Sequence, residues 1–134
     1  MYTKKAGFIV AVKGFHGKTM GSLSLIGKKD YRESVGQLYS GPVYHVPFGD
    51  AAAVERQLEI CDTIGVGIAA VMMEPIQGEA GAVVPPDDFW PRIRAASRKH
   101  GVLLIADEVQ TGIGRTGKMW GVDHWGVVPD IMTM

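Results

Sequence analysis

Two acidic residues each follow directly on an apolar run of the sequence, and their carboxylates are the first candidates for chemistry. Glu74 follows the run Ile68–Met73, and Asp107 closes the run 102–106. Both runs are continuously apolar, which is typical of strands buried on both faces of a sheet. A carboxylate buried at such a strand end is costly unless a cationic group meets it, so we expect Asp107 to have a cationic partner.

The segment after Asp107 contains closely spaced glycines, at Gly112, Gly114 and Gly117. Glycine permits backbone conformations that other residues rarely adopt, so this segment is predicted to be a mobile or tightly turned loop. Loops held over a rigid sheet are where binding and catalytic groups concentrate. The sequence thus indicates a candidate site at the end of the run 102–107.

Apolar runs alternate with amphipathic stretches along the chain, which predicts strands that alternate with helices. Strands are expected at residues 8–13, 43–46, 68–73, 102–107 and 130–134. Helices are expected at 18–26, 51–64 and 88–100, with a loop holding at most one helical turn at 27–41. Asp50 and Asp88 are the predicted N-caps, and Val54, Leu58 and Cys61 share one face of the second helix. This order predicts an α/β fold with a mostly parallel sheet and flanking helices.

Ligands of parallel α/β sheets bind beyond the carboxyl ends of the strands. Three places in this chain satisfy that rule: Phe15 and His16 after the first strand, Glu74 after the third, and Asp107 after the fourth. An aromatic ring and two carboxylates are therefore expected at one edge of the sheet. Such a set suits a planar, cationic heteroaromatic ligand that stacks on Phe15 and pairs its protonated nitrogen with Asp107.

The composition narrows the range of partners. The chain has 134 residues, of which 46% are hydrophobic, enough for one domain with a core. Its 14 basic and 14 acidic residues give a formal net charge of zero, so neither nucleic acid nor an anionic membrane is an expected partner. Cys61 is the single cysteine, which excludes an intrachain disulfide and favours a cytoplasmic location. No Cys/His spacing resembles a metal site, and no apolar run is long enough for a membrane helix.

Several short motifs occur in the order and spacing of a known enzyme family. They are Phe-His-Gly at 15–17, Glu-Pro-Ile-Gln-Gly-Glu at 74–79, Asp-Glu-Val-Gln-Thr-Gly at 107–112 with Gly-Arg-Thr-Gly at 114–117, and Pro-Asp-Ile at 129–131. With them the chain resembles the class III pyridoxal-phosphate-dependent aminotransferases, the fold type I group that includes enzymes acting on ornithine, acetylornithine, 4-aminobutyrate and putrescine. The resemblance implies pyridoxal phosphate as the cofactor. It also implies transfer of an amino group from an ω-amine or amino acid to a 2-oxo acid.

The resemblance implies specific roles for the residues expected around the cofactor ring. Asp107 would be the catalytic carboxylate that pairs with the pyridinium nitrogen. Phe15 would stack on one face of the ring and Val109 would pack on the other. Gln110 would reach the phenolic oxygen.

Three further residues of the motifs are implied to support this arrangement. Glu74 would buttress the cofactor site, and Glu79 would face the substrate pocket. His16 belongs to the cofactor-binding set by its motif, although a turn histidine satisfied within the protein is the simpler interpretation. Without the resemblance, each site residue also has a structural interpretation: the aromatic ring as core, the acids as helix caps or loop residues, and the amide as solvated.

The family pattern extends beyond this chain at both ends. By the resemblance, the Schiff-base lysine would lie roughly two residues beyond Met134, and the phosphate-binding glycine-rich turn would lie before Met1. By the same resemblance, the small carboxyl-terminal domain is expected to lie outside residues 1–134. Residues 1–134 are therefore expected to be a partial pyridoxal-phosphate-binding large domain that is inactive on its own. None of the lysines at 13, 18, 28, 29 and 118 occupies the matching position.

A rival interpretation is a non-catalytic α/β module, derived from such an enzyme, that binds a ligand or self-associates. By the resemblance, Gln110 and the segment 77–79 favour transamination over the aminomutase and decarboxylase relatives on the same scaffold. Exposed apolar surface and a bare edge strand at 131–134 predict a homodimer or higher oligomer. The resemblance implies that the segment with Ile113, Met119 and Trp120 lies at the contact between subunits.

Overall fold

Parallel strands form the frame of the molecule. In the computed structural model, which describes residues 2–33 and 41–134, the five strands are β1 (Gly7–Ala11), β2 (Val43–Val46), β3 (Ile68–Met73), β4 (Leu103–Asp107) and β5 (Ile131–Thr133). They lie in the order β2, β1, β3, β4, β5, and each neighbouring pair is parallel. The predicted parallel sheet is confirmed. Strand β4 begins one residue later than expected, and β5 is one residue shorter than expected at each end.

Helices connect these strands and cover the sheet. The described residues contain two short helices, α1 (Met20–Leu23) and α2 (Lys29–Arg32), two longer ones, α3 (Ala51–Thr63) and α4 (Phe89–Lys99), and a 3₁₀ helix at Gly121–Trp125. Side chains from both longer helices and from alternate sheet positions form one buried core, which includes Leu58, Trp90, Ile93, Val71 and Leu104. No helix in the described part of the chain combines the length and apolar character that a membrane crossing requires.

Helix α3 follows its sequence signals closely. Asp50 Oδ1 accepts a hydrogen bond from the backbone N–H of Ala53 at 2.9 Å, so Asp50 is the N-cap, as predicted. The helix ends just before Gly65, whose φ of 73° lies in the left-handed region that terminates many helices. The buried face is the predicted one, formed by Val54, Leu58 and Cys61.

Asp88 precedes α4, but it does not cap the helix with its side chain. Its backbone is already helical, with φ of −83° and ψ of −11°, whereas a capping residue normally has an extended backbone. The carboxylate instead accepts a hydrogen bond from Arg92 Nη1 at 3.2 Å, one turn along the helix. Asp88 therefore occupies the predicted N-cap position, and the helix begins where it was expected, but the side-chain capping bond is absent.

The helix predicted for residues 18–26 is reduced to the single turn α1. The Ser22 and Ser24 hydroxyls donate to the backbone carbonyls of Thr19 and Met20, and such bonds compete with a regular helix. The chain continues in tight turns, in which the Leu25 N–H donates to the Ser22 carbonyl. These turns bury Leu25 against the face of the sheet opposite α3 and α4.

Strand β1 ends at Ala11, two residues before the predicted end at residue 13. Lys13 has a left-handed backbone with φ of 62°, which a strand does not accommodate. Its N–H donates to the Gly27 carbonyl at 3.0 Å, so residue 27 crosses close to the end of β1. A Cβ at Gly27 would lie 2.3 Å from the carbonyl oxygen of Ala11, so this crossing requires glycine. The crossing fixes the turn that carries Phe15 to the carboxyl edge of the sheet.

A charged pair joins α4 to the start of β5. Arg94 Nη1 donates to Asp130 Oδ2 at 2.7 Å, and the same oxygen accepts the Leu104 N–H at 2.8 Å. Burial by itself raises the pKa of Asp130, but these hydrogen bonds and the charge of Arg94 hold the pKa below its usual value. The contact fixes the entry of β5 into the sheet, where Thr133 lies opposite Asp107.

Candidate active site

A cavity of about 190 Å³ opens at the carboxyl edge of β1, β3, β4 and β5. Its wall combines the turn after β1, the ends of β3 and β5, and the segment that follows β4. The lining residues are Phe15, His16, Gly17, Met72, Glu74, Asp107, Val109, Gln110 and Thr133. The structure therefore brings together all the residues that the motifs placed around a cofactor, at the position where α/β sheets bind ligands.

Asp107 is the charged centre of this cavity. It is 6% exposed, and its Oδ2 accepts a hydrogen bond from His16 Nδ1 at 2.7 Å. Oδ1 accepts two more, from the Thr133 hydroxyl at 2.8 Å and from the Val109 N–H at 3.3 Å. Burial by itself raises the pKa of Asp107, but the hydrogen bonds and the nearby imidazole outweigh burial, so the pKa lies below its usual value. Asp107 is therefore ionised at neutral pH.

His16 takes the place of the partner that Asp107 was expected to need. Its side chain is fully enclosed. Because an ionised carboxylate can only accept hydrogen bonds, Nδ1 carries the hydrogen shared with Asp107. Nε2 is buried and has no hydrogen-bond partner among residues 2–33 and 41–134. The interpretation of His16 as a satisfied turn histidine therefore holds for one ring nitrogen, and the ring also lines the cavity.

Glu74 ties two turns together beside Asp107. It is 5% exposed, and its two oxygens accept hydrogen bonds from the Phe15 N–H at 3.0 Å and the Gly78 N–H at 2.9 Å. Burial raises the pKa of Glu74, and the negative charge of Asp107 adds to the rise, while the two N–H groups and His16 offset part of it. This placement agrees with a supporting role, because Glu74 holds the backbone on which Phe15 is mounted.

Apolar side chains line much of the remaining wall of the cavity. Phe15 packs edge to face against Tyr31, with the ring centroids 5.6 Å apart and the planes at 66°. Met72 lies on the face of β3 opposite the main core. Val109 also lines the cavity and is 67% exposed. An aromatic ring and a branched aliphatic side chain are thus available to contact a planar ligand.

Gln110 reaches the cavity from the segment after β4, and its side chain lies directly against Gly78. A Cβ at Gly78 would be only 2.0 Å from Gln110 Oε1 and 2.5 Å from its Cδ. The glycine of the 74–79 motif therefore makes room for the amide. Sequence reasoning did not single out Gly78, because the requirement comes from a residue 32 positions later in the chain.

Glu79 is placed differently from the other predicted site residues. It is exposed and does not line the cavity; its carboxylate pairs with Lys28 Nζ at 3.2 Å. The same ammonium group also donates to the Glu79 carbonyl at 2.9 Å. The contact joins the turn after α1 to the segment that follows β3. Sequence reasoning did not identify Lys28 as this partner.

Gly17, Met72 and Thr133 are the lining residues to which sequence reasoning gave no role. Thr133 lies in the predicted strand 130–134, and the rule that ligands bind at strand ends applies to it as it does to Asp107. The detail that could not be read from the sequence is the register, which sets Thr133 opposite Asp107. For metals, the described residues contain no group of three or more His, Cys, Asp or Glu side chains that could hold an ion.

The donor set of the cavity fits a planar ligand with a protonated ring nitrogen. An ionised carboxylate offers about four lone-pair positions, and the described residues use three of those on Asp107. The charge of Asp107 therefore remains available to a cationic group of a ligand. Phe15 and Val109 supply apolar contact, and Gln110 supplies an amide. These are the features expected of a site for a pyridine-type cofactor.

Comparison with known proteins decides the family. The sequence matches the family described as aminotransferase class-III over residues 1–134. The chain belongs to the class III aminotransferases. This result confirms the resemblance drawn from the four motif regions, and class III aminotransferases depend on pyridoxal phosphate.

Individual relatives agree with this assignment. The chain is 47% identical over 130 residues to putrescine aminotransferase of Pectobacterium atrosepticum. This alignment covers 97% of this chain and 28% of that protein. It is 45% identical over 132 residues to acetylornithine aminotransferase of Mycolicibacterium smegmatis, covering 98% of this chain and 32% of that protein. The chain thus spans less than a third of the length of these curated relatives.

The fold is also that of a solved transaminase. An amine transaminase from an uncultivated Pseudomonas species, solved in its pyridoxal-phosphate-bound form, superposes with a TM-score of 0.84 at 38% identity. The match covers 96% of this chain and 32% of that one. The predicted fold type I architecture, with its parallel sheet and flanking helices, is therefore confirmed.

Proposed function

We propose that this chain forms part of an enzyme that transfers an amino group from an ω-amine or amino acid to a 2-oxo acid, with pyridoxal phosphate as cofactor. The observation that carries the proposal is Asp107, an ionised carboxylate that is 6% exposed and lines the cavity at the sheet edge. A buried carboxylate at an otherwise largely apolar cavity is costly unless a cation or hydrogen-bond donors meet it. Membership of a pyridoxal-phosphate-dependent family supports the choice of ligand.

Asp107 would act on the ring nitrogen of the cofactor. Pyridoxal phosphate, when bound, supplies an electron-accepting ring that takes up the electrons left when a proton leaves the substrate Cα. A carboxylate with a depressed pKa favours the protonated form of a neighbouring base, so Asp107 would hold a proton on that nitrogen. His16 and Thr133 keep the carboxylate ionised and oriented by binding one oxygen each.

The other lining residues would orient the ring and exclude water. Phe15 and Val109 offer apolar surface for its faces, and Gln110 offers an amide donor for its phenolic oxygen. Glu74 acts through the backbone, because it binds the N–H groups of Phe15 and Gly78 and so holds the two turns beside the cavity. Phe15 is held by its edge-to-face contact with Tyr31 and by the hydrogen bond from its N–H to Glu74.

The substrate side of the proposal rests on Glu79 and on the relatives. The exposed carboxylate of Glu79 would attract the ammonium group of an amino donor. In this structure Lys28 occupies that carboxylate, so a cationic donor would compete with Lys28 for it. The two curated relatives are named for putrescine and acetylornithine, which supports an ω-amine or amino acid as the donor.

We further propose that residues 1–134 are part of a pyridoxal-phosphate-binding large domain. The phosphate-binding turn, the Schiff-base lysine and the small domain would be supplied by residues outside this segment. The coverage of 28% and 32% of the curated relatives supports this view. An isolated polypeptide of residues 1–134 is expected to show no turnover, since no lysine in it occupies the matching position. Transfer from any amine to 2-oxoglutarate by that polypeptide would refute this.

A homodimer or higher oligomer is proposed from the exposed apolar surface. Ile113 is 73% exposed and Met119 is 55% exposed, and both belong to the segment after β4. Strand β5 lies at an edge of the sheet. Such surfaces are usually covered in solution. Sedimentation that shows only monomer over a wide concentration range would contradict the proposal.

We also propose a cytoplasmic location, which fits the free, buried thiol of Cys61 and can be checked by cell fractionation.

The deciding experiment measures amino transfer by the protein at its natural length. Putrescine, ornithine, acetylornithine and 4-aminobutyrate are offered in turn with 2-oxoglutarate, and glutamate formation is followed with and without added pyridoxal phosphate. The proposal expects cofactor-dependent turnover of at least one donor. Tight cofactor binding without any transfer, over this panel and over other amino acids, would favour a non-catalytic binding module instead.

A further inference from the structure

Glu108 is a buried carboxylate that the proposed chemistry does not use. It follows Asp107 directly in the chain and is 1% exposed. Neighbouring residues at the end of a strand take opposite faces, and Asp107 lines the cavity whereas Glu108 does not. A charge this deeply buried needs several donors to offset its lost hydration.

The donors to Glu108 come from both ends of one loop. Oε2 accepts hydrogen bonds from the Thr111 hydroxyl and from the Gly121 N–H at 2.8 Å, and Oε1 accepts the Val122 N–H at 2.9 Å. Thr111 opens the segment of residues 111–121, here called the 111–121 loop, and Gly121 begins the 3₁₀ helix that follows it. One carboxylate therefore holds the start and the end of this loop together.

Close packing around Glu108 shows that the 111–121 loop is tightly closed. A Cβ at Gly121 would lie 2.9 Å from Thr111 Cβ and 3.0 Å from Glu108 Oε2. At the other end, a Cβ at Gly112 would lie 3.0 Å from the ring of Trp120. The loop ends meet at distances that only glycine permits.

Only two residues, Val109 and Gln110, separate Glu108 from the loop that it holds. The Glu108 carbonyl accepts the N–H groups of Thr111 and Gly112, so the backbone at 109–110 is bent into a turn above the end of β4. Both of these residues line the cavity. Opening the 111–121 loop would release the turn and, with it, the two cavity side chains.

We propose that Glu108 is a positioning residue that keeps the 111–121 loop closed and thereby fixes Val109 and Gln110 at the cavity. The identity of the ligand that these two residues contact rests on the proposed function. The contact between the Glu108 carboxylate and the loop does not depend on the proposed function, because all three donors to this carboxylate belong to the described chain.

Hydrogen–deuterium exchange on the protein at its natural length tests the hold directly. In Glu108→Gln the amide offers one oxygen, and its NH₂ group faces at least one of the three donors. Exchange in residues 109–122 is expected to be at least about tenfold faster, while exchange in β3 stays unchanged. The matched control is Glu59→Gln, an exposed carboxylate on α3, which is expected to change neither region. Unchanged exchange at 109–122 in Glu108→Gln overturns the proposal.

If Glu108→Gln speeds up exchange throughout the protein, including β3, a second pair of variants tests the proposal. Thr111→Val removes one donor and keeps the shape of the side chain, and Thr111→Ser keeps the hydroxyl. Exchange at 109–122 is expected to be about threefold faster in the valine variant and close to wild type in the serine variant. Equal exchange in these two variants overturns the proposal.

Cofactor titration separates this inference from the proposed function. The Kd of pyridoxal phosphate is expected to rise about tenfold in Glu108→Gln and to stay unchanged in Glu59→Gln. Faster loop exchange with an unchanged Kd shows that the loop does not position the site, and it overturns the proposal. If the wild-type protein does not bind the cofactor, the proposed function fails. In that event, the exchange at residues 109 and 110 decides the role of Glu108.

Discussion

Thr133 lies opposite Asp107 across the parallel strands β5 and β4, and its hydroxyl donates to Asp107 Oδ1 at 2.8 Å. The other carboxylate oxygen is bound by His16, from the turn after β1. Asp107 is thus held from two sides by elements that are distant in sequence. Its depressed pKa is therefore a property of the sheet order and register as much as of the local motif.

Thr133→Val is expected to lower the free energy of unfolding at pH 7 by about 1–3 kcal/mol, because a buried charged acceptor loses a donor. The folded-state pKa of Asp107 lies below its ordinary value of 3.8, so its stabilising contribution is present above that pH and is lost as the pH falls. The difference between variant and wild type should therefore shrink below about pH 3.8. Urea unfolding at several pH values measures this difference in the free energy of unfolding. Thr133→Ser retains the hydroxyl, so its free energy of unfolding is expected to be close to that of wild type.

Asp107→Asn is expected to lower kcat/KM for amino transfer by at least about 100-fold, because a neutral amide cannot stabilise a proton on the ring nitrogen of the cofactor. Asp62→Asn is the matched control, since Asp62 also binds a histidine Nδ1, that of His100, but lies on α3 away from the cavity. Steady-state kinetics on the protein at its natural length measures both. If kcat/KM of Asp107→Asn stays within threefold of wild type and its circular dichroism is unchanged, Asp107 is not a catalytic residue.

The position of the site could be predicted because the strands carry strong local signals. The run Ile68–Met73 became a strand with the predicted bounds, and Asp107 ends the next strand as expected. In a parallel sheet these ends share one edge, so the meeting of Glu74, Asp107 and Phe15 followed from the element order alone. The N-cap Asp50 was equally local, since its partner is three residues away.

Other features could not be predicted because they depend on contacts between distant segments. The left-handed backbone of Lys13 is set by the crossing of Gly27, and no pattern around residue 13 encodes that crossing. The bond from Thr133 to Asp107 depends on a strand register between residues 26 positions apart. The burial of Glu108 depends on backbone donors that lie 13 and 14 positions later in the chain. Tertiary contact, and not propensity, decided these three cases.

Glu74 is expected to make stability depend on pH in a window above that of Asp107. Its folded-state pKa is raised above the ordinary value of 4.5, so the folded protein retains this proton to higher pH than the unfolded chain does. The stabilising contribution is therefore full below about pH 4.5 and is lost as the pH rises through the folded-state pKa. Glu74→Gln cannot titrate, so the wild-type advantage over this variant should fall as the pH rises from 4.5.

The measurement is urea unfolding of wild type and Glu74→Gln at intervals between pH 4 and pH 7.5. The window does not overlap that of Asp107, whose contribution changes below its ordinary value of 3.8. Glu59→Gln, which replaces an exposed carboxyl group on α3 by an amide, is the matched control. A difference between wild type and Glu74→Gln that varies with pH no more than that of the control would show that burial does not raise the pKa of Glu74.

Gly78→Ala is expected to displace Gln110 from the cavity. An alanine Cβ would lie 2.0 Å from Gln110 Oε1, and the backbone of Gly78 is outside the left-handed region, so the clash is the main effect. Gln110 is exposed and can move, so the free energy of unfolding should change by less than about 0.5 kcal/mol. Loss of the hydrogen bond that we propose between Gln110 and the phenolic oxygen should raise the Kd of pyridoxal phosphate by about tenfold.

A double-mutant cycle tests whether Gly78→Ala acts through Gln110. If it does, Gln110→Ala raises the Kd by a similar factor, and Gly78→Ala adds nothing in the Gln110→Ala background, because the displaced amide is already gone. Gly21→Ala is the matched control, since a Cβ there meets no atom within 4 Å. Titration with pyridoxal phosphate measures the four proteins of the cycle and the control. Losses that multiply in the double variant would mean that Gly78 acts on the cavity independently of Gln110, through the turn whose N–H binds Glu74.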